Sequence, residues 1–214
     1  MKNMRLTVCI GIMCGWLAAG MLHAGTRPDH VRPVEEDGSR LWLPVIRPVE
    51  GAEVEITYKG KVSPTIAIAI AELKNAWKGD PVLLEKKKTG RGDGFAITSS
   101  EHQVRILSST ETGLLYGAYS LLRMQAAGQL TVPLSVTEQP AYDLRILNHW
   151  DNPDGTVERG YAGRSLWNWE ELPGTLSPRY EAYARANASV GINGTVLNNV
   201  NASPQVLTLV VWRK

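Results

Sequence analysis

A small α+β layer followed by a βαβ unit is the architecture this sequence predicts, and three observations predict it. Short strand-like runs alternate with two helical runs between residues 54 and 136. The pairs Ser63-Pro64 and Ser177-Pro178 each open a helical pattern that closes at a glycine, the preferred entry and exit of a helix. The second of these helices lies between two apolar runs, after a long loop. That order builds a parallel sheet or an eight-stranded β/α barrel.

The chain begins with Lys2 and Arg5, an apolar run over 6–22 and His23-Ala24 before Gly25. This reads as a secretory signal over residues 1–24, so the mature chain is expected to be exported, to the periplasm or beyond the cell. No later run approaches the roughly 20 apolar residues of a spanning helix, and no membrane association is expected after cleavage. Both cysteines, Cys9 and Cys14, lie inside the signal, which leaves the mature chain no disulfide and no thiol metal site. Without Lys2 and Arg5, the 23 basic residues fall to the number of the 21 acidic ones. A neutral chain with no basic stripe makes nucleic acid a poor partner. Glu85-Lys86-Lys87-Lys88 reads as a solvated strand end.

Residues 25–40 are polar and proline-containing, a linker. Runs at 41–46 and 54–58 read as strands, the second alternating Val54, Ile56, Tyr58. A helix follows from Ser63-Pro64 through Trp77 and stops at Gly79. Runs at 82–84, 95–98 and 104–107 read as strands. Residues 112–127 place Leu114, Leu115, Ala118, Leu121 and Leu122 on one helical face, ending before Gly128. Residues 130–136 are expected to close the sheet. Arg91-Gly92-Asp93 matches a cell-adhesion tripeptide but reads as a glycine-rich hairpin tip, and Gly90, Gly92 and Gly94 do not open a helix as a phosphate loop would. Gln139-Pro140 marks a boundary, giving an amino-terminal domain over 25–139 and a βαβ segment over 140–214. In the latter, 144–147 is fit for a buried strand, a helix runs from Ser177-Pro178 to Gly191, and 192–200 is a second strand. Ser203-Pro204 looks like the start of another helix.

The stretch 148–169, NHWDNPDGTVERGYAGRSLWNW, holds three tryptophans, a tyrosine, a histidine and a Glu-Arg pair with neither a two-residue nor a 3.6-residue period. Planar aromatics beside carboxylates, amides and an arginine suit a pocket for a polar ring. The stretch also follows the carboxyl end of a strand, where chemistry gathers in parallel β/α folds.

The segments ILNHWDN, VERGYAGRSLW, RYEAYARANASVGINGTVLNNVNA and TGLLYGAYSLLR resemble the amino-terminal part of the glycoside hydrolase family 67 α-glucuronidases. The resemblance runs from about residue 40 to about 207 and is strongest from Asp143 to Pro204. It implies an α+β amino-terminal domain followed by the start of a (β/α)8 TIM barrel, truncated after about two strands. Family members release (4-O-methyl)glucuronic acid from the α-1,2 branches of xylo-oligosaccharides during xylan breakdown, by inversion, with no metal or organic cofactor. The family's acid, its paired carboxylate bases and the cations that grip the uronate lie on later strands, and no position here matches them. No catalytic residue is therefore assigned, and the chain alone is expected to be inactive, a truncated reading frame. A non-catalytic xylan-binding module is the alternative. Pairing as a homodimer is open only to a full-length form.

Within the loop, Glu158 can accept hydrogen bonds from ring hydroxyls and Arg159 can orient it or meet the substrate carboxylate. Trp150 and Trp167 can each form a wall on which a pyranose stacks, whereas Trp169 reads as structural. His149 and Asp151 share one strand face and read as a hydrogen-bonded loop anchor. Asn198 and Asn199 end the second strand and can reach the rim; Asn199 is taken as substrate-binding with Trp150, Glu158, Arg159 and Trp167. Asn187, Asn193 and Asn201 match the glycosylation pattern, which matters only in a eukaryotic secretory route.

Overall fold

A computed structural model describes residues 54–172 and 174–197. The expected signal, the linker, the strand at 41–46, and Asn198, Asn199 and the helix start at Ser203-Pro204 lie outside the described residues. The chain forms β1 (Ile56–Lys59), α1 (Pro64–Ala76), β2 (Val82–Lys86), β3 (Phe95–Ser100), β4 (Gln103–Ser108), α2 (Glu111–Ala126) and β5 (Ser135–Glu138), then β6 (Ile146–Asn148), α3 (Pro178–Ser189) and β7 (Gly194–Val196).

The first sheet has the order β1-β2-β4-β3-β5, with β1, β2 and β4 parallel and β3 antiparallel to both its neighbours. Its register aligns Val82 with Val104, and Leu84 and Ile97 with Ile106. Side chains alternate between faces along a strand, so these residues share one face, and all five are buried beneath the helices. The other face carries ions: Arg105 donates to the Glu85 carboxylate at 2.6 Å and Lys59 pairs with it at 3.5 Å. The Arg105 hydrogen bond holds the Glu85 carboxyl below its ordinary pKa.

Helix α1 begins where the sequence places it, with the Ser63 hydroxyl accepting from the Ile66 N–H and Pro64 at the first turn. Helix α2 is capped by Thr110, whose hydroxyl accepts from Gly113 N–H at 3.0 Å and donates to Asp93 at 3.1 Å. The periodicity predicts one apolar face, but ten consecutive residues from Gly113 to Leu122 are buried. The sheet covers one side of α2, and α1 and α3 cover others, so no solvent face remains over those turns. At Gly117 the helix backbone lies so close to β4 that a Cβ would stand 2.4 Å from Ile106 Cγ2.

β6, α3 and β7 form a βαβ unit in which β6 and β7 pair in parallel, Leu147 opposite Thr195. It is joined to the first sheet's layer by side chains. Arg185 on α3 grips Glu72 on α1 with Nε–Oε1 2.6 Å and Nη2–Oε2 2.9 Å, and Tyr119 of α2 donates to the same carboxylate at 3.2 Å. That paired carboxylate raises the Arg185 pKa above its ordinary value. Arg145 donates to the Gly191 carbonyl at 2.6 Å and to Asp93 at 3.3 Å. Arg123 of α2 donates to the Ser189 carbonyl.

Four expectations change. The glycine-rich segment around Asp93 is no hairpin tip, because β4 lies between β2 and β3; the hairpin is β3–β4, turning at Glu101 and His102. Asp93 is instead a structural acceptor for Thr110 and Arg145. The closing strand starts at Ser135 rather than 130, since Pro133 has no N–H to give a ladder. The run at 144–147 is not buried: β6 begins at Ile146, Leu144 is 71% exposed, and among the described residues β6 pairs with β7 alone. β7 begins at Gly194 because Asn193 is used as a clamp, its side chain accepting from Arg145 N–H and donating to the Asp143 carbonyl.

Candidate functional site

The long loop after β6 is built by its own short polar side chains. His149 N–H donates to the Val196 carbonyl, which fixes the loop's start on β7. Asp154 accepts from both the N–H and the hydroxyl of Thr156, a side-chain turn that holds its pKa below the ordinary value. Bridges then pair Asp151 with Val157 and Thr156 with Arg164. Asn152 is buried, and its amide donates to the Thr156 hydroxyl at 2.8 Å and to the Glu158 carbonyl at 2.7 Å. The loop is an ordered piece of structure, not a slack connection.

Beneath it lies an aromatic cluster. Trp167 is only 6% exposed; it stacks on Tyr180 at 5.2 Å and meets His149 and Tyr183 edge-on at 5.4 and 5.3 Å. The His149 ring sits 3.5 Å from Asp151 through Nδ1 and 2.6 Å from the Tyr183 hydroxyl through Nε2. Asp151 also accepts from the Ser165 hydroxyl, which in turn accepts from Trp167 N–H at 2.9 Å. His149 and Asp151 thus meet as expected of a loop anchor. Trp167 packs at the centre of that anchor against Tyr180, and it lines the cavity beside α3.

The exposed side of the loop carries the remaining candidates. Trp150 is 47% exposed, an indole available for stacking. Glu158 is the described non-glycine residue with positive φ, 58°, and its backbone is locked there. Its N–H donates to the Trp150 carbonyl at 2.8 Å and its carbonyl accepts from Asn152. The left-handed conformation costs roughly 1–2 kcal/mol, which two net hydrogen bonds of about 0.5–1.5 kcal/mol each offset. The Glu158 charge pushes the Tyr161 phenol above its ordinary pKa, with burial and their hydrogen bond adding. Arg159 is exposed and forms no ion pair among the described residues. The structure therefore brings Trp150 and Glu158 together through the backbone, with Arg159 next in chain. Tyr161, Tyr183, Ser165 and Asn152 were not singled out by the sequence; only Tyr180 and Tyr183, three apart on one helical face, left a periodic trace. Among the described residues no group of three His, Cys, Asp or Glu could hold a metal ion, and no helix is long and apolar enough to cross a membrane.

The fold is a mixed α/β layer joined to a parallel βαβ unit, with an anchored polar-aromatic loop after β6. Residues 124–214 match the family model described as "Glycosyl hydrolase family 67 middle domain". The chain is 45% identical over 116 residues to a probable alpha-glucuronidase A of Neosartorya fischeri and 42% identical over 116 residues to one of Aspergillus clavatus. The resemblance to the glycosyl hydrolase family 67 α-glucuronidases is thereby shown. Each match covers 54% of this chain and 14% of the relative, so the chain spans about one seventh of those proteins. A solved GH138 enzyme targeting pectin rhamnogalacturonan II superposes with TM-score 0.51 at 17% identity, over 69% of this chain and 19% of that one, a likeness of fold alone.

Proposed function

We propose that this chain is the amino-terminal part of an exported α-glucuronidase, an inverting hydrolase of α-1,2-linked (4-O-methyl)glucuronic acid on xylo-oligosaccharides, and that the βαβ unit is the opening of its (β/α)8 barrel. The observation that carries the reading is Glu158, held in a left-handed backbone conformation by Trp150 and Asn152 on the exposed side of the loop after β6. Strain of this kind, fixed by surrounding bonds, is found where a side chain must be aimed. The Trp150 face stacks on the sugar, Glu158 accepts from its hydroxyls, and the exposed Arg159 meets the uronate carboxylate. Inversion needs an acid and a base about 6.5–9.5 Å apart across the bond. Asp151 is committed to Ser165 and His149, whereas Glu158, bonded to the exposed Tyr161 beside Trp150, serves binding.

The purified chain is therefore expected to release no glucuronic acid from an aldouronic acid while still binding it. Calorimetry with that ligand on the parent, Trp150→Ala, Glu158→Gln and Arg159→Ala tests the contacts. Each substitution is expected to weaken binding about tenfold or more, near 1.4 kcal/mol. Measurable turnover would overturn the assignment of inactivity, and unchanged affinity in all three would overturn the site. Amino-terminal sequencing of the protein recovered after expression in its exporting host tests the signal, with Gly25 the expected first residue.

A further inference from the structure

We propose that the cavity between α2, α3 and the start of β7 is a binding site for one neutral, hydroxyl-bearing ring of monosaccharide size. The cavity has a volume of about 520 Å³, and Trp150, Glu158 and Arg159 do not line it. That volume falls in the range of small-molecule pockets, roughly 300–1,000 Å³.

Asn187 is the group that calls for a ligand. It sits on the inner face of α3, lines the cavity and is 6% exposed. Its backbone carbonyl accepts from the Val190 and Ile192 N–H groups, and among the described residues its side-chain amide makes no hydrogen bond. The amide's donors and acceptor open onto the cavity rather than being sealed in the core, where the hydroxyls of a ligand can meet them. The same wall holds Trp167, whose indole N–H is buried without a partner among the described residues. Tyr180 and Tyr183 add aromatic surface and Thr195 adds a hydroxyl at the mouth. Aromatic faces suit the C–H face of a ring, and the amide suits adjacent hydroxyls.

Charge decides the class. Asp93 lines the cavity, and the nearby cation Arg145 is already paired with it at 3.3 Å. Among the described residues no Lys or Arg lines the cavity to hold an anion, and Asp93 repels one. The ligand is thus neutral, which separates this site from the Arg159 face proposed for the uronate.

Saturation-transfer NMR with methyl β-xylopyranoside, a neutral ring with no carboxylate, tests this on the full chain. Transfer is expected for the parent. Asn187→Leu is expected to weaken binding at least tenfold in a chain that stays folded, because the amide's donors and acceptor are replaced by an apolar group of similar size. Asn187→Ala, which cannot overfill the site, is expected to weaken binding likewise and serves if the leucine variant misfolds. No transfer with the parent overturns the proposal, as does unchanged affinity in the folded Asn187 variants. The aldouronic acid experiment depends on Arg159 and not on Asn187, so either site can fail alone.

Discussion

Single carboxylates of the loop do different work, and their surroundings say which. Asp151 is buried, with one oxygen toward His149 and the other on Ser165. Asp151→Ala strands both partners beneath the loop and is expected to cost about 1–3 kcal/mol, the range for leaving buried polar groups unpaired. Thermal unfolding reads the loss, and faster hydrogen exchange at the Trp167 amide, which hangs on Ser165, locates it; an unchanged exchange rate would deny the anchor. Asp154 is exposed, and its folded pKa is lowered by the hydroxyl and N–H of Thr156. Its contribution is therefore present above the ordinary carboxylate value of about 4 and is lost as pH falls through the lower folded value. The melting difference between the parent and Asp154→Asn is expected to be largest near neutral pH and to close on acidification. A difference that widens in acid would reverse the sign. The Asn-X-Ser pattern at Asn187 was legible as a glycosylation match, yet its side chain is buried against the cavity, a fact no triplet encodes.

Elements were legible where the signal is local. Ser63-Pro64 and Ser177-Pro178 open α1 and α3 as read, although Ser177 makes no side-chain cap bond, so Pro178 alone sets that start. β5 was placed too early because apolar character at Leu130 and Val132 outweighed the missing N–H of Pro133. The burial of α2 on all sides was not legible, since it depends on α1 and α3 arriving from residues far away in sequence. Gly117 records that crowding. Gly117→Ala adds a favourable helix former but sets a methyl 2.4 Å from Ile106 Cγ2. The gain of about 1 kcal/mol in propensity competes with an overpacking cost of about 1–3 kcal/mol, so net destabilisation is expected in denaturant unfolding. A stabilised variant would mean that β4 recedes freely from α2.

At the scale of the whole molecule the question is whether the βαβ unit stands as part of the same body as the α+β layer. Composition marks a boundary at Gln139-Pro140, which invites the expectation that protease trims the chain back to about residue 140. Contacts between residues as distant as Glu72 and Arg185 argue otherwise. The Arg185 pair is bidentate and mostly buried, Arg145 ties Gly191 to Asp93, and Arg123 holds the end of α3 through Ser189. Hydrogen bonds to charged groups contribute roughly 1.5–3 kcal/mol each, so even with heavy discounting for exposure three such ties outweigh the fraying of one short helix. Limited digestion with chymotrypsin is therefore expected to leave one resistant body that contains both Phe95 and Tyr183. Glu72→Ala together with Arg145→Ala removes two of the ties, the Glu72 carboxylate on Arg185 and the Arg145 clamp on Gly191 and Asp93. That double variant is expected to be cut within α3 and trimmed toward residue 140, while Phe95 and its sheet stay protected. Trimming of the parent chain to that same point would show that the arginine ties do not hold, and the two parts would then have to be treated as independent folding units.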